Sequence, residues 1–104
     1  MSLLFDLLYN KKITTSAYTS ELLGFMKNTD FEDRLPRLLN KNITVYHKTG
    51  DAVGMIHDGG IIDDKKNPFI LVVLSNDVPD DEIAKQTIGE IAKRVYDLGG
   101  NEIK

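Results

Sequence analysis

The sequence predicts an α+β fold: N-terminal helices, a three-stranded antiparallel sheet, and a C-terminal helix packed on that sheet. Three observations carry this. Helical periodicity of apolar residues runs from Leu3 to Leu39. Period-two alternation and β-branched residues take over between Ile43 and Leu74, and an amphipathic stripe returns after Asp80.

In chain order, Leu3, Leu4, Leu7 and Leu8 fall on one helical face, and the pattern stops near Tyr9-Asn10. Thr14, Thr15 and Ser16 offer N-cap hydroxyls for a second helix running to Lys27, with a core stripe expected at Tyr18, Leu22, Leu23 and Met26. Phe31, Leu35, Leu38 and Leu39 surround Pro36. Proline disfavours a helical residue before it, so this reads as a short helical turn followed by a bend.

Ile43 to Lys48 alternates as a half-buried strand does. A second strand segment, Ala52 to Ile62, carries Gly54, Gly59 and Gly60, and glycines inside a strand mark a bulge or a close backbone approach. Asp63 to Pro68 reads as a hairpin-type turn. Phe69 to Leu74 is continuously apolar, the pattern of a strand buried on both faces. Ser75 to Glu82 supplies caps and an acidic first turn for the last helix, which complements the helix dipole. Its stripe of Ala84, Ile88, Ile91, Val95 and Leu98 is expected to be core, Gly89 to let the helix lie close on the sheet, and Gly99-Gly100 to form the C-cap.

The 104 residues make one domain at most, or part of a larger one. The absence of cysteine excludes disulfides, thiolate metal sites and a cysteine nucleophile. Thirteen Lys+Arg against sixteen Asp+Glu give a net charge of −3, which argues against a nucleic-acid partner. The longest apolar run is six residues, Phe69 to Leu74, against the roughly 20 of a membrane-spanning helix. The first residues lack the charged start and cleavage site of a signal peptide.

Gly50-Asp51-Ala52-Val53-Gly54 lacks the phosphate-binding glycine spacing and opens a strand, not a helix. His47 and His57 read as two half-exposed strand histidines, with no metal site expected. Asp77, Asp80, Asp81 and Glu82 read as a helix start, because the glycine and spaced ligands of a calcium loop are missing.

One tripeptide stands apart in context: Lys48-Thr49-Gly50 on an alternating strand. It is preceded by Leu35-Pro36-Arg37-Leu38-Leu39 and followed by Gly54, His57-Asp58-Gly59-Gly60-Ile61-Ile62 and Pro68 to Leu74. This arrangement resembles the C-terminal part of a class A-type serine β-lactamase, in the superfamily shared with penicillin-binding proteins. The helices before and after the strands are similar too, so the resemblance covers nearly the whole chain and makes it a partial β-lactamase-like domain over 1–104.

The resemblance implies roles for these residues. Lys48 would hold the substrate carboxylate through its ammonium, and Thr49 would hydrogen-bond the same group. Gly50 would let substrate lie against the strand backbone. The N–H of Asp51 would be one of two oxyanion-hole donors, a kind of group worth roughly 2.7–4 kcal/mol in the transition state. The charge of an aspartate there would oppose an anionic substrate. His57-Asp58 would fix the neighbouring strand. No cofactor or metal is implied, and the substrate is a β-lactam or peptidoglycan-type peptide. A complete protein following the family would work outside the cytoplasm.

The family's nucleophile is missing. Three residues after Ser2, Ser16, Ser20 and Ser75 stand Phe5, Thr19, Leu23 and Val78, so no S-x-x-K occurs. Ser75-Asn76-Asp77 is not S-D-N in order or place. Glu21, Glu32, Glu82 and Glu90 lack an asparagine four residues on. The expectation is therefore a C-terminal segment, inactive alone, with no catalytic residue of its own. Phe69 to Leu74 would then keep an unpaired edge, and the apolar residues of Leu3–Leu8 and Tyr18–Met26 would lack cover. Both favour a homo-oligomer or pairing with a missing N-terminal fragment. The other reading is a non-enzymatic interaction module that binds a partner through that edge.

Overall fold

A computed structural model describes residues 1–101. Two helices come first, α1 (Ser2–Tyr9) and α2 (Ser16–Phe25). Then come β1 (Thr44–Ala52), β2 (Met55–Asp63) and β3 (Phe69–Val73), and last α3 (Asp81–Asn101). The strands form one antiparallel sheet in the order β1-β2-β3. Among the described residues no helix is long and apolar enough to cross a membrane.

Local chemistry explains most boundaries. The Thr15 hydroxyl accepts from Tyr18 N at 3.2 Å and starts α2. Val53-Gly54 makes the two-residue turn between β1 and β2, with Gly54 at φ +73, a conformation that glycine adopts without strain. The Asp80 carboxylate accepts from Glu82 N and Ile83 N at 3.0 and 3.2 Å and caps α3, with Asp81 and Glu82 in its first turn.

The core lies between one sheet face, α3 and the 34–39 turn. Leu35, Leu39, Val45, Ile56, Ile62, Ile88 and Ala92 are buried together. Phe5 and Leu8 of α1 cover the other face, and Tyr9 Oη donates to Asp63 Oδ1 at 2.9 Å.

Several expectations about burial are corrected. The buried strand is β2, not β3: Ile56, Asp58 and the run Gly59 to Ile62 are buried, whereas β3 is half-buried throughout. An apolar run with an open edge reads in sequence like one with two neighbours. β1 does not end at Lys48 but continues to Ala52, so Lys48-Thr49-Gly50 lies within the strand. On α2 the only buried residue is Thr19, while Tyr18 and Leu22 are exposed. On α1, Leu3 and Leu4 are exposed, and Phe5 with Leu8 faces the sheet.

The 31–39 segment forms turns closed by Arg37 N to Arg34 O and Leu39 N to Pro36 O, with no helix, and leaves Phe31 and Leu38 exposed. The inner face of α3 is Ala84, Ile88, Ala92 and Tyr96; Ile91 and Leu98 are exposed. Gly89 meets the turn rather than the sheet, since a Cβ there would sit 3.0 Å from Arg34 O. Nor do Gly99 and Gly100 cap α3, which runs through both to Asn101.

Candidate functional site

The four residues singled out by the sequence are consecutive on β1, so alternation sends them in different directions. Lys48 and Gly50 border a cleft of about 140 Å³ with Phe5, His57, Gly59 and Val72. The Lys48 side chain is exposed, and its ammonium donates to Thr49 O at 2.8 Å. The opposite face of the strand carries Val45, His47, Thr49 and Asp51; Val45 turns into the core, His47 and Asp51 turn toward the 29–39 segment, and Thr49 is half-buried.

The backbone direction follows from one bond. His47 N donates to Met26 O at 2.9 Å, outside the sheet. Successive N–H groups of an antiparallel strand alternate between partner and open side. The N–H groups of Thr49 and Asp51 therefore point to the open edge of β1, while Gly50 and Ala52 face β2. Lys48, Thr49 and Gly50 thus lie on a strand edge beside an outward N–H at Asp51. One mobile cation, one hydroxyl and one fixed backbone donor are groups that can hydrogen-bond a carboxylate or an oxyanion.

Behind this edge lies a charged network that local sequence patterns did not reveal. His47 is not half-exposed but 1% exposed. Its Nδ1 meets Asp58 Oδ1 and Oδ2 at 2.9 and 3.0 Å, and its Nε2 meets Glu32 Oε2 at 2.7 Å. Asp58, equally buried, also accepts from Leu35 N at 3.1 Å. Glu32 is steadied by the Thr29 hydroxyl at 2.8 Å. His57 is half-buried, and its Nδ1 accepts from Ser75 N at 3.1 Å. His57 thus bonds β2 to the residue after Leu74, and Asp58 bonds β2 to β1 and to the 29–39 segment. Among the described residues no group of three or more His, Asp or Glu side chains is arranged to hold a metal ion.

Both ring nitrogens of His47 face carboxylates, so both donate only in the imidazolium form. Burial is the largest influence and pulls the pKa down. The bonds and charges of Asp58 and Glu32 outweigh it and raise the pKa above the ordinary 6.5. A raised folded-state value gives stability that is complete below the ordinary pKa and is lost as pH rises through the folded one. Urea midpoints of the wild type and His47→Gln, taken from about pH 5 to about pH 9, should therefore converge as pH rises. A constant gap across that range would contradict the charged His47.

The charge of Asp51 is also answered by the structure. Its two carboxylate oxygens take the Arg34 guanidinium at 2.5 and 2.8 Å, and this bonding holds its pKa below the usual carboxylate range. Arg34 is 1% exposed, and its Nη1 also donates to His57 O at 2.9 Å. Its Nε lies 3.4 Å from Asp33 Oδ1, an ion-pair contact without hydrogen-bond geometry.

A β-lactamase from Sphaerobacter thermophilus DSM 20745 superposes with a TM-score of 0.88, at 21% identity, over 95% of this chain and 38% of that one. PBP-A gives a TM-score of 0.83, at 24% identity, over 92% of this chain and 37% of that one. A point mutant of PBP-A, solved as an acyl-enzyme complex with penicillin G, matches with the same values. The chain thus spans 38% or less of the length of these structures, and shares their fold over that part. No curated protein matches. The model of the Beta-lactamase enzyme family matches residues 1–98, nearly the full length, and the chain belongs to that family.

Proposed function

We propose that this chain supplies the wall that binds the substrate carboxylate and oxyanion in a serine β-lactamase-like hydrolase. The observation that carries this reading is Lys48-Thr49-Gly50 on the open edge of β1, with the Asp51 N–H directed outward beside it. Lys48 and Thr49 engage the carboxylate of a β-lactam, Gly50 leaves room for it, and Asp51 N–H receives the developing oxyanion. These 104 residues hold no S-x-x-K, so the nucleophilic serine of such a hydrolase is not among them. In the complete reaction the serine Oγ attacks the lactam carbonyl, the C–N bond breaks with a proton to nitrogen, and water hydrolyses the ester.

Alone, the chain binds without turning over. Lys48→Ala should weaken benzylpenicillin binding about tenfold or more, from the loss of a charge-assisted hydrogen bond. Amide-shift titration of both proteins reads this, and a chromogenic cephalosporin should stay intact. Equal affinities, or measurable hydrolysis, would contradict the reading.

Partners follow from what is uncovered. Leu3, Leu4, Tyr18 and Phe25 expose apolar surface, which supports docking of the rest of the β-lactamase-like fold on α1 and α2. A second reading, an interaction module, draws on β3, which among the described residues pairs with β2 alone and offers an apolar edge. It requires concentration-dependent self-association in light scattering and no response to benzylpenicillin.

A further inference from the structure

We infer that Arg34 is a positioning residue for the β1 edge: it holds Asp51 by the side chain so that the backbone N–H keeps its outward direction, and it neutralises a carboxylate that would otherwise repel an anionic ligand. This rests on the reading of that edge as the binding wall.

Asp51 sits two residues before Val53, the fully exposed tip of the β1–β2 turn, where a hairpin frays most easily. Arg34 ties this end down with three hydrogen bonds to two partners. Its planar fork takes both Asp51 oxygens, a geometry that fixes orientation as well as distance. Its Nη1 also reaches His57 O, so one guanidinium bridges β1 and β2. Its own backbone lies close against α3, where a Cβ at Gly89 would stand 3.0 Å from Arg34 O. The Asp51 carboxylate is 48% exposed while Arg34 is buried, so the cation comes from beneath the edge and leaves the outer side open.

Amide exchange and benzylpenicillin titration of the full chain test the two parts. Gly50 and Ala52 face β2, and their amides should exchange about tenfold faster in Arg34→Met and in Asp51→Ala, with Tyr46 within about twofold of wild type. Arg34→Lys, which keeps the charge but not the fork, should fall between. Arg34→Met should also bind benzylpenicillin more weakly than Asp51→Ala, and Arg34→Met/Asp51→Ala should regain affinity over Arg34→Met. A purely structural arginine would not give that regain.

Wild-type exchange rates at Gly50 and Ala52 in both variants would overturn the positioning role, and absence of the regain would overturn the neutralising role. Should Arg34→Met fail to fold, Asp51→Ala decides the first point and Arg34→Lys against wild type decides the second. If wild-type chain gives no response to benzylpenicillin, the binding-wall reading fails, and the exchange rates still decide whether Arg34 orders the edge.

Discussion

Asp58→Ala should lower folding stability by about 3–5 kcal/mol, the range for removing one partner of a buried ion pair. Asp58 is 1% exposed and serves two groups at once, the His47 ring and Leu35 N. Its loss leaves His47 with a buried charge balanced only by Glu32, and leaves a buried backbone donor unpaired. The 29–39 segment is attached to the sheet through these same bonds, so the damage should extend to Arg34 and to the β1 edge. Asp58→Asn keeps the shape but not the charge, and should recover part of the loss. Urea unfolding followed by circular dichroism measures both variants. A cost below about 1 kcal/mol for Asp58→Ala would mean that the network is not what joins the turn to the sheet.

Gly60→Ala should cost about 3 kcal/mol or more, at the upper end of overpacking effects. Gly60 pairs with His47 across β1 and β2. A Cβ there would lie 2.7 Å from His47 Cα and press on the Tyr46 carbonyl. Backbone atoms yield only if the strands part, and parting them pulls His47 from Asp58. Gly50→Ala is the internal control, since its nearest neighbour is His57 Cδ2 at 3.9 Å. That substitution should leave the unfolding midpoint close to wild type yet reduce benzylpenicillin binding, because the added methyl stands on the proposed binding face. Equal midpoints for the two alanine variants would refute the close approach at Gly60.

Element types and order were legible because each rests on a short-range signal: a cap hydroxyl at Thr15, alternation from Ile43, a polar turn after Asp63, an acidic helix start at Asp81. The Lys48-Thr49-Gly50 strand was legible because its flanking residues resemble a known family. Burial was less so. The Phe69–Val73 run is as apolar as a central strand, and its edge position depends on what pairs beyond it.

His47 could have been found by parity, since it shares a strand face with Val45. Arg34 could not. Its partner is 17 residues away, and no local pattern joins a turn arginine to the end of a strand. The closeness expected for Gly59-Gly60 did appear at Gly60, whereas Gly89 turned out to accommodate the same turn that carries Arg34. The sequence marks where backbones approach but not which ones.

On the proposed reading, the open β1 edge recognises a carboxylate. The most direct measurement compares benzylpenicillin with its methyl ester in amide-shift titrations of the isotopically labelled chain. The free acid should move the amides of Lys48, Thr49 and Asp51 in a saturable way, and the ester should move them far less. Equal responses to acid and ester, or shifts confined to the apolar cleft between Val73 and Ile91, would contradict carboxylate recognition by this edge.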